Sequence, residues 1–273
     1  MAASPAQPIT PELRAWIIEQ AATGISAPAL IDAMTHSGWR EEVAVDAVEQ
    51  VLRGHLDQVA RQQGLPPAAA VPEPALGESP RWLDAGDRQV EVLMSLANPR
   101  VVLLGNVLSQ QECEALIAAA RPRMARSRTV ATATGGEEVN DDRTSDGMFF
   151  QRGESELLQR IEQRIARVLH YRPGAEYKPH YDYFDPAEPG TPSILRRGGQ
   201  RVGTLVMYLN DPPKGGGTTF PDVFLEVAPV RGNAVFFSYE RPDASTRTLH
   251  GGAPVIAGDK WIATKWLRQR EFI

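Results

Sequence analysis

From Gly174 to the C-terminus the chain shows no convincing helical period. Instead it offers short apolar or alternating runs: AEYKPHYDYF, RVGTLVMYLN, FLEVAPV, NAVFFSY, TLHGGAPV and KWIATKWL. Turn-forming clusters separate them, notably NDPPKGGG, RGN and AGD. Strands this short are not stable singly or in isolated pairs and must bury a face against a second sheet or a helix. The pattern therefore predicts a β-sandwich or barrel, flanked by the helices that precede it.

Those helices fall into two groups. Near the N-terminus Thr10 is a candidate N-cap with Pro11 at the first helical position, opening PELRAWIIEQAA. A second helix, APALIDAMTH, ends before Gly38, and a third runs over 41–62. Val43, Val45, Val48, Val51 and Leu52 are the expected apolar stripe of that third helix. Residues 9–63 are thus read as a small helical bundle of unassigned role. Residues 64–81 combine Pro, Ala and acidic residues with few bulky apolar side chains, and read as a linker. Beyond it, RVVLL is a predicted strand. Ser109 and Glu112 form a capping box at the head of a helix, 129–146 is an exposed polar loop, GMFFQ is a strand, and ELLQRIEQRIARVL is an amphipathic helix.

Composition narrows the function classes. A net charge of −5 argues against a surface that tracks nucleic acid or anionic lipid. Cys113 is the only cysteine, so neither an intrachain disulfide nor a cysteine-rich zinc site can form. No apolar run approaches the roughly 20 residues of a membrane span. The first residues lack the basic and apolar regions of a secretory signal. The expectation is a cytoplasmic protein.

The chemistry-bearing residues sit in the β-rich half. His180 and Asp182 form an H-x-D in KPHYDYF; on a regular strand residues i and i+2 share a face. His250 follows in TLHGGAP. Two histidines and one carboxylate can form the facial triad that leaves positions open on non-haem Fe(II). An H-x-D alone is more often an ordinary strand feature than a metal site, and Lys260, after Ala257-Gly258-Asp259, reads by itself as a turn lysine. A zinc hydrolase would bring a general base, usually in H-E-x-x-H, and that motif is absent.

Ordered blocks bring more weight. RTSDGMFF, the helix ending IEQRIARVL, YRPGAEYKPHYDYF, GGQRVGTLVMYLND, GGGTTFP and HGGAPVIAGDKWIATKWL are co-linear over about 98–273. In these blocks the chain resembles the prolyl 4-hydroxylase family of 2-oxoglutarate- and Fe(II)-dependent oxygenases.

The resemblance implies an α+β fold: a double-stranded β-helix (jelly-roll) core, about 165–270, with flanking helices, beside the small N-terminal bundle. It implies His180, Asp182 and His250 as iron ligands and Lys260, with Tyr171 and Thr218, as the 2-oxoglutarate site. Tyr177 would line the metal pocket. Arg143, Ser145, Arg201, Trp266 and Arg268 match positions of the peptide site, Arg268 standing where relatives often carry His. The stretch 187–197 reads as an insert at the peptide-facing rim. The implied reaction hydroxylates C4 of a prolyl residue in a peptide or protein. It uses O₂ and 2-oxoglutarate, which is decarboxylated to succinate and CO₂, with L-ascorbate as reductant. The same chemistry on a free amino acid or a non-prolyl side chain is the alternative, followed by a non-catalytic jelly-roll binding protein. A proline-containing polypeptide is the expected partner, with neither nucleic acid nor membrane; the sequence is silent on oligomeric state.

Overall fold

The computed structural model describes residues 7–76, 79–126, 129–130, 137–138, 146–169 and 181–271. Arg143, Ser145, Tyr171, Tyr177 and His180, and most of the loop expected over 129–146, lie outside them. The chain divides into two units, residues 1–68 and 69–273.

The first unit holds α1 (Pro11–Ala22), α2 (Ala27–His36) and α3 (Glu41–Gln62). Thr10 and Ser26 cap the first two, their hydroxyls accepting from the backbone N–H of Leu13 and Ala29. Ile17, Leu30 and Met34 meet Ala44, Ala47, Val48 and Val51 in a closed core. The stripe on α3 keeps Val48 and Val51 of the expected set, with Leu52 packed against it, and adds Ala44 and Ala47. Residues 44, 47, 48 and 51 follow the i, i+3, i+4, i+7 spacing, whereas Val45 falls off that face and is 39% exposed.

In the second unit the chain runs β1 (Trp82–Asp84), β2 (Gln89–Leu96), β3 (Arg100–Gly105) and α4 (Gln110–Ala120). Short pieces β4 (Ala125–Arg126), β5 (Thr129–Val130), β6 (Glu137–Glu138) and β7 (Asp146–Gly147) precede α5 (Glu156–Val168) and α6 (Thr191–Arg196). Then come β8 (Arg201–Tyr208), β9 (Lys214–Gly215), β10 (Thr218–Phe220), β11 (Leu225–Val227) and β12 (Ala234–Ser238). The last strands are β13 (Gly251–Gly252), β14 (Val255–Ala257) and β15 (Ile262–Arg268). The major sheet is antiparallel in the order β1-β2-β3-β12-β8-β15; a smaller sheet, β11-β10-β13, and the pair β14-β9 complete the jelly roll.

Period-two alternation sorts the two faces of the major sheet. Ala234 and Phe236 of β12, with Leu205 and Met207 of β8, pack with Cys113 and Leu116 of α4 and Ile161, Ile165 and Val168 of α5. Val235 and Phe237, followed by Tyr239, join Val206 and Tyr208 and face Phe220 and Val227 of the smaller sheet. Each fully buried phenylalanine here contributes roughly 1.5–3 kcal/mol. The capping box is formed: Ser109 accepts from the Glu112 N–H while the Glu112 carboxylate accepts from the Ser109 N–H.

Several expectations are corrected. The linker does not extend to residue 81 as free chain: Ala69 donates its N–H to the Glu240 carbonyl (2.5 Å), and Glu73 binds Arg100 (2.7 Å) and Ser238 (2.9 Å). The strands β1 and β2 have no counterpart among the strands expected from the sequence. GMFFQ extends only to Gly147 as strand, the Phe149 carbonyl being taken by the Arg123 guanidinium (2.9 Å). The rim insert contains a helix, α6, with a proline in its first turn. Residues 181–183 form a bend rather than a strand. Their ladder is replaced by side chains: Gln200 bonds both the N–H and the carbonyl of Phe184 (2.7 Å each), and Arg201 donates to the Asp182 carbonyl (3.3 Å).

Candidate active site

The bend at 181–183 and the start of β13 meet on the inner face of the major sheet. Asp182 is buried there, and its Oδ2 lies 3.7 Å from Nε2 of His250. His250 stands immediately before β13 rather than within it. Its Nδ1 lies 2.9 Å from the Thr248 carbonyl. A carbonyl can only accept, so Nδ1 is the donor in this contact, and Nε2 is the ring nitrogen turned toward Asp182. The Phe237 ring packs against the imidazole at 4.5 Å and Phe220 at 6.0 Å, which fixes its plane. Among the described residues no third His, Cys, Asp or Glu joins this pair.

Asp182 is supported from two directions. Its Oδ2 accepts from the Thr204 hydroxyl at 2.5 Å, and its Oδ1 lies 3.9 Å from the Arg201 guanidinium. That guanidinium lies over the rings of Phe184 (4.4 Å) and Trp266 (5.5 Å). Arg268 lies 5.1 Å from the same Phe184 ring and donates to the Gly199 carbonyl (3.2 Å). Arg201, Trp266 and Arg268, expected as peptide contacts, are thus brought together, but all three are buried, at 2%, 8% and 5% exposure. Arg201 faces the Asp182 carboxylate rather than the surface.

A second polar group lies at the other end of β8. The Tyr208 hydroxyl donates to Oγ1 of Thr218 at 2.7 Å, and burial pushes the Tyr208 phenol up to about 12. Lys260 precedes β15, and its ammonium sits 5.9 Å from the Tyr208 ring centroid. A Cβ on Gly252 would stand 4.0 Å from that ammonium, which places it beside the residue two past His250. The lysine stem crosses Gly216, whose φ of +76° admits glycine readily and whose Cβ, if present, would press on Lys260 Cδ at 3.1 Å. Burial lowers the Lys260 pKa, and among the described residues no carboxylate lies within ion-pair distance of it. Such a cation is suited to an anionic ligand.

Sequence reasoning brings His250, Asp182, Lys260 and Thr218 to this site but misses Thr204, Tyr208 and Tyr239. The available signal is a polar atom inside β8, and just after β12, within runs otherwise almost wholly apolar.

The donor set fits a hard-to-borderline divalent metal. Ligands about 2.1 Å from one ion lie roughly 3–4 Å apart, as the Asp182 and His250 atoms do, and mixed nitrogen and oxygen donors suit Fe(II). Asp182 and His250, with His180 as the expected third ligand, could hold it, and Lys260 with Thr218, the latter accepting from Tyr208, could hold a dicarboxylate.

Comparison with known proteins agrees. Residues 166–268 match the model of the 2OG-Fe(II) oxygenase superfamily. Prolyl 4-hydroxylase 5 of Arabidopsis thaliana is 39% identical over 221 residues, covering 68% of this chain and 74% of that one. Prolyl 4-hydroxylase 1 of the same plant is 38% identical over 229 residues, 70% of this chain and 78% of that one. A crystal structure of the viral collagen prolyl hydroxylase from Paramecium Bursaria Chlorella virus-1 aligns with a TM-score of 0.44 at 28% identity, covering 62% of this chain and 95% of that one. The fold and pocket define a 2OG-Fe(II) oxygenase. Within that superfamily the chain belongs to the prolyl 4-hydroxylase family.

Proposed function

We propose that this protein hydroxylates prolyl residues at C4 in a peptide or protein, consuming O₂ and 2-oxoglutarate and releasing succinate and CO₂. The observation that carries this reading is the placement of the Lys260 ammonium beside Gly252, in the same segment as His250, which in turn meets Asp182. Bound Fe(II) supplies the activation of O₂ and the oxidative decarboxylation. The chain's own residues do the rest. Asp182, His250 and His180 would hold the metal; Lys260 would neutralise the distal carboxylate of 2-oxoglutarate, with the Thr218 hydroxyl, which accepts from Tyr208, as its hydrogen-bond donor. Tyr181 and Tyr183, on either side of Asp182 in the chain, stack at 4.8 Å and offer an aromatic surface near the ligand pair against which a proline ring could rest. Ascorbate is the proposed reductant that restores iron after unproductive turnover. A reducing cytoplasm is the proposed location, in keeping with one buried cysteine.

The test is a cell extract treated with enzyme, Fe(II), 2-oxoglutarate and ¹⁸O₂, followed by peptide mass spectrometry. The expected result is ¹⁸O in hydroxyproline at defined sites, absent with the His250→Ala enzyme. Label confined to free amino acids, or to side chains other than proline, would redirect the substrate assignment.

A further inference from the structure

Beyond the three expected ligands, the inner face of the sheet carries a hydrogen-bonded chain that ends on one of them. The Tyr239 hydroxyl lies 3.0 Å from Oγ1 of Thr204, and the Thr204 hydroxyl lies 2.5 Å from Oδ2 of Asp182. All three side chains are buried, at 1%, 1% and 2% exposure. We propose that Tyr239 is a positioning residue for the metal-binding carboxylate, acting through Thr204. The proposal rests on Asp182 being a ligand.

The polarity of the chain follows from elementary donor counting. An ionised carboxylate only accepts, so the Thr204 proton is directed to Asp182. The Thr204 oxygen has then spent its one proton and can only accept from Tyr239, which therefore donates. The sequence of donors is Tyr239 to Thr204 to Asp182, with a single direction. Burial raises the Tyr239 phenol far above the ordinary tyrosine value, so it remains a donor throughout the working pH range.

Contacts on both oxygens set the orientation of the carboxylate. Thr204 holds Oδ2 while Arg201 approaches Oδ1 at 3.9 Å and also binds the Asp182 carbonyl. Thr204 is held in turn by strand pairing on both sides: β8 pairs it with Phe237 of β12 and Trp266 of β15. Tyr239 adds the last constraint, fixing the Thr204 hydroxyl rotor. Without it, Thr204 can turn its proton elsewhere, and its oxygen is left without its donor. The metal then meets a carboxylate that is no longer pre-oriented. Partners of ligands typically change metal affinity by about 10–100-fold.

The test is Co(II) titration of the metal-free full-length enzyme, read by calorimetry and by the visible Co(II) spectrum, beside the KM for 2-oxoglutarate at saturating Fe(II). Tyr239→Phe is expected to weaken Co(II) binding about 10-fold and alter the spectrum, with the KM for 2-oxoglutarate within about twofold of wild type. Thr204→Val should weaken binding at least as much, and Thr204→Ser, which keeps the hydroxyl, should restore it to within about threefold. A purely packing role for Tyr239 would shift thermal stability and leave the spectrum alone. Asp182→Ala separates the two levels of the argument. If Asp182→Ala loses Co(II) while Tyr239→Phe and Thr204→Val bind it as wild type, the relay is wrong and the ligand assignment stands. If Asp182→Ala binds Co(II) as wild type, the ligand assignment is wrong and the relay falls with it.

Discussion

Lys260 points its ammonium at the face of Tyr208, 5.9 Å from the ring centroid, while the hydroxyl of the same tyrosine is spent on Thr218. One tyrosine therefore touches both groups proposed to hold 2-oxoglutarate. Lys265, further along the same segment, turns away and lies 3.4 Å from Glu162 of α5. Lys260 precedes β15 and Lys265 lies within it, so simple strand parity does not relate them; the separation of roles comes from what each ammonium faces.

Lys260→Ala should raise the KM for 2-oxoglutarate by roughly 30-fold or more. Truncating one partner of a sheltered charge pair costs about 2–5 kcal/mol, and about 1.4 kcal/mol is tenfold. Iron affinity should remain within a few-fold of wild type. Lys265→Ala should leave the KM unchanged. Steady-state kinetics with 2-oxoglutarate varied at fixed iron decide the matter; sensitivity at Lys265 and silence at Lys260 would reverse the assignment.

The pH dependence follows from burial of Lys260. Its pKa is lowered from 10.5, so the free enzyme loses this proton at a lower pH than an exposed lysine does. A dicarboxylate binds the protonated form. The apparent affinity for 2-oxoglutarate should therefore fall as pH rises through the lowered pKa. Lys260→Arg keeps its proton at these pH values and should flatten that limb, though its different reach will weaken binding overall. Measuring the KM for 2-oxoglutarate across the alkaline range, with both enzymes, checks the sign.

Much of this is legible in the sequence because local signals are strong. The α1 and α2 bounds and the Ser109–Glu112 box follow from caps and turn residues within a few positions of each helix end. The deep strands β8 and β12 follow from runs too apolar to sit at a surface. Less is legible where side chains replace backbone pairing. Gln200 bonding to Phe184 turns an apparent strand at Asp182 into a bend, and nothing local in YDYF announces a partner that far along the chain. Thr204 and Tyr239 are invisible for a related reason: a run's burial says nothing of which polar atom on its inner face meets which ligand.

Removing either Asp182 or His250, the proposed metal ligands, should abolish turnover. Asp182→Ala and His250→Ala should each lose 2-oxoglutarate decarboxylation at micromolar iron, because two remaining protein ligands hold Fe(II) weakly. Circular dichroism should remain native for His250→Ala, whose Phe237 and Phe220 neighbours can close on a small side chain. Full activity in either variant would remove that residue from the metal site.

The last prediction concerns stability at a distance from the pocket. Arg164 of α5 is a buried cation that binds Asp87 (2.5 and 3.0 Å), Glu112 (2.7 and 3.0 Å) and the Val107 carbonyl (2.7 Å). It thereby ties α5 to the capping box of α4. Burial by itself raises the Glu112 pKa, but the Arg164 hydrogen bonds and the Ser109 N–H outweigh it, and the net shift is downward from 4.5. Asp87 is lowered from 3.8, chiefly by its hydrogen bond to Arg164, but is 40% exposed at its side chain and so contributes less. A carboxylate with a depressed folded pKa stabilises the fold above its unfolded pKa, and that stabilisation is lost as pH falls through the folded value. Arg164→Met leaves the buried Glu112 with Arg88, 3.5 Å away, as its remaining cation, so the cost should sit near the lower end of that for a broken buried pair, about 3 kcal/mol, a fall in Tm of roughly 6–12 °C for a unit of this size at pH 7. The deficit should shrink below pH 4.5, where protonation removes the same stabilisation from the wild type. Thermal unfolding of both proteins from pH 7 downward tests this, and a deficit that stays constant with pH would assign the loss to packing rather than to charge.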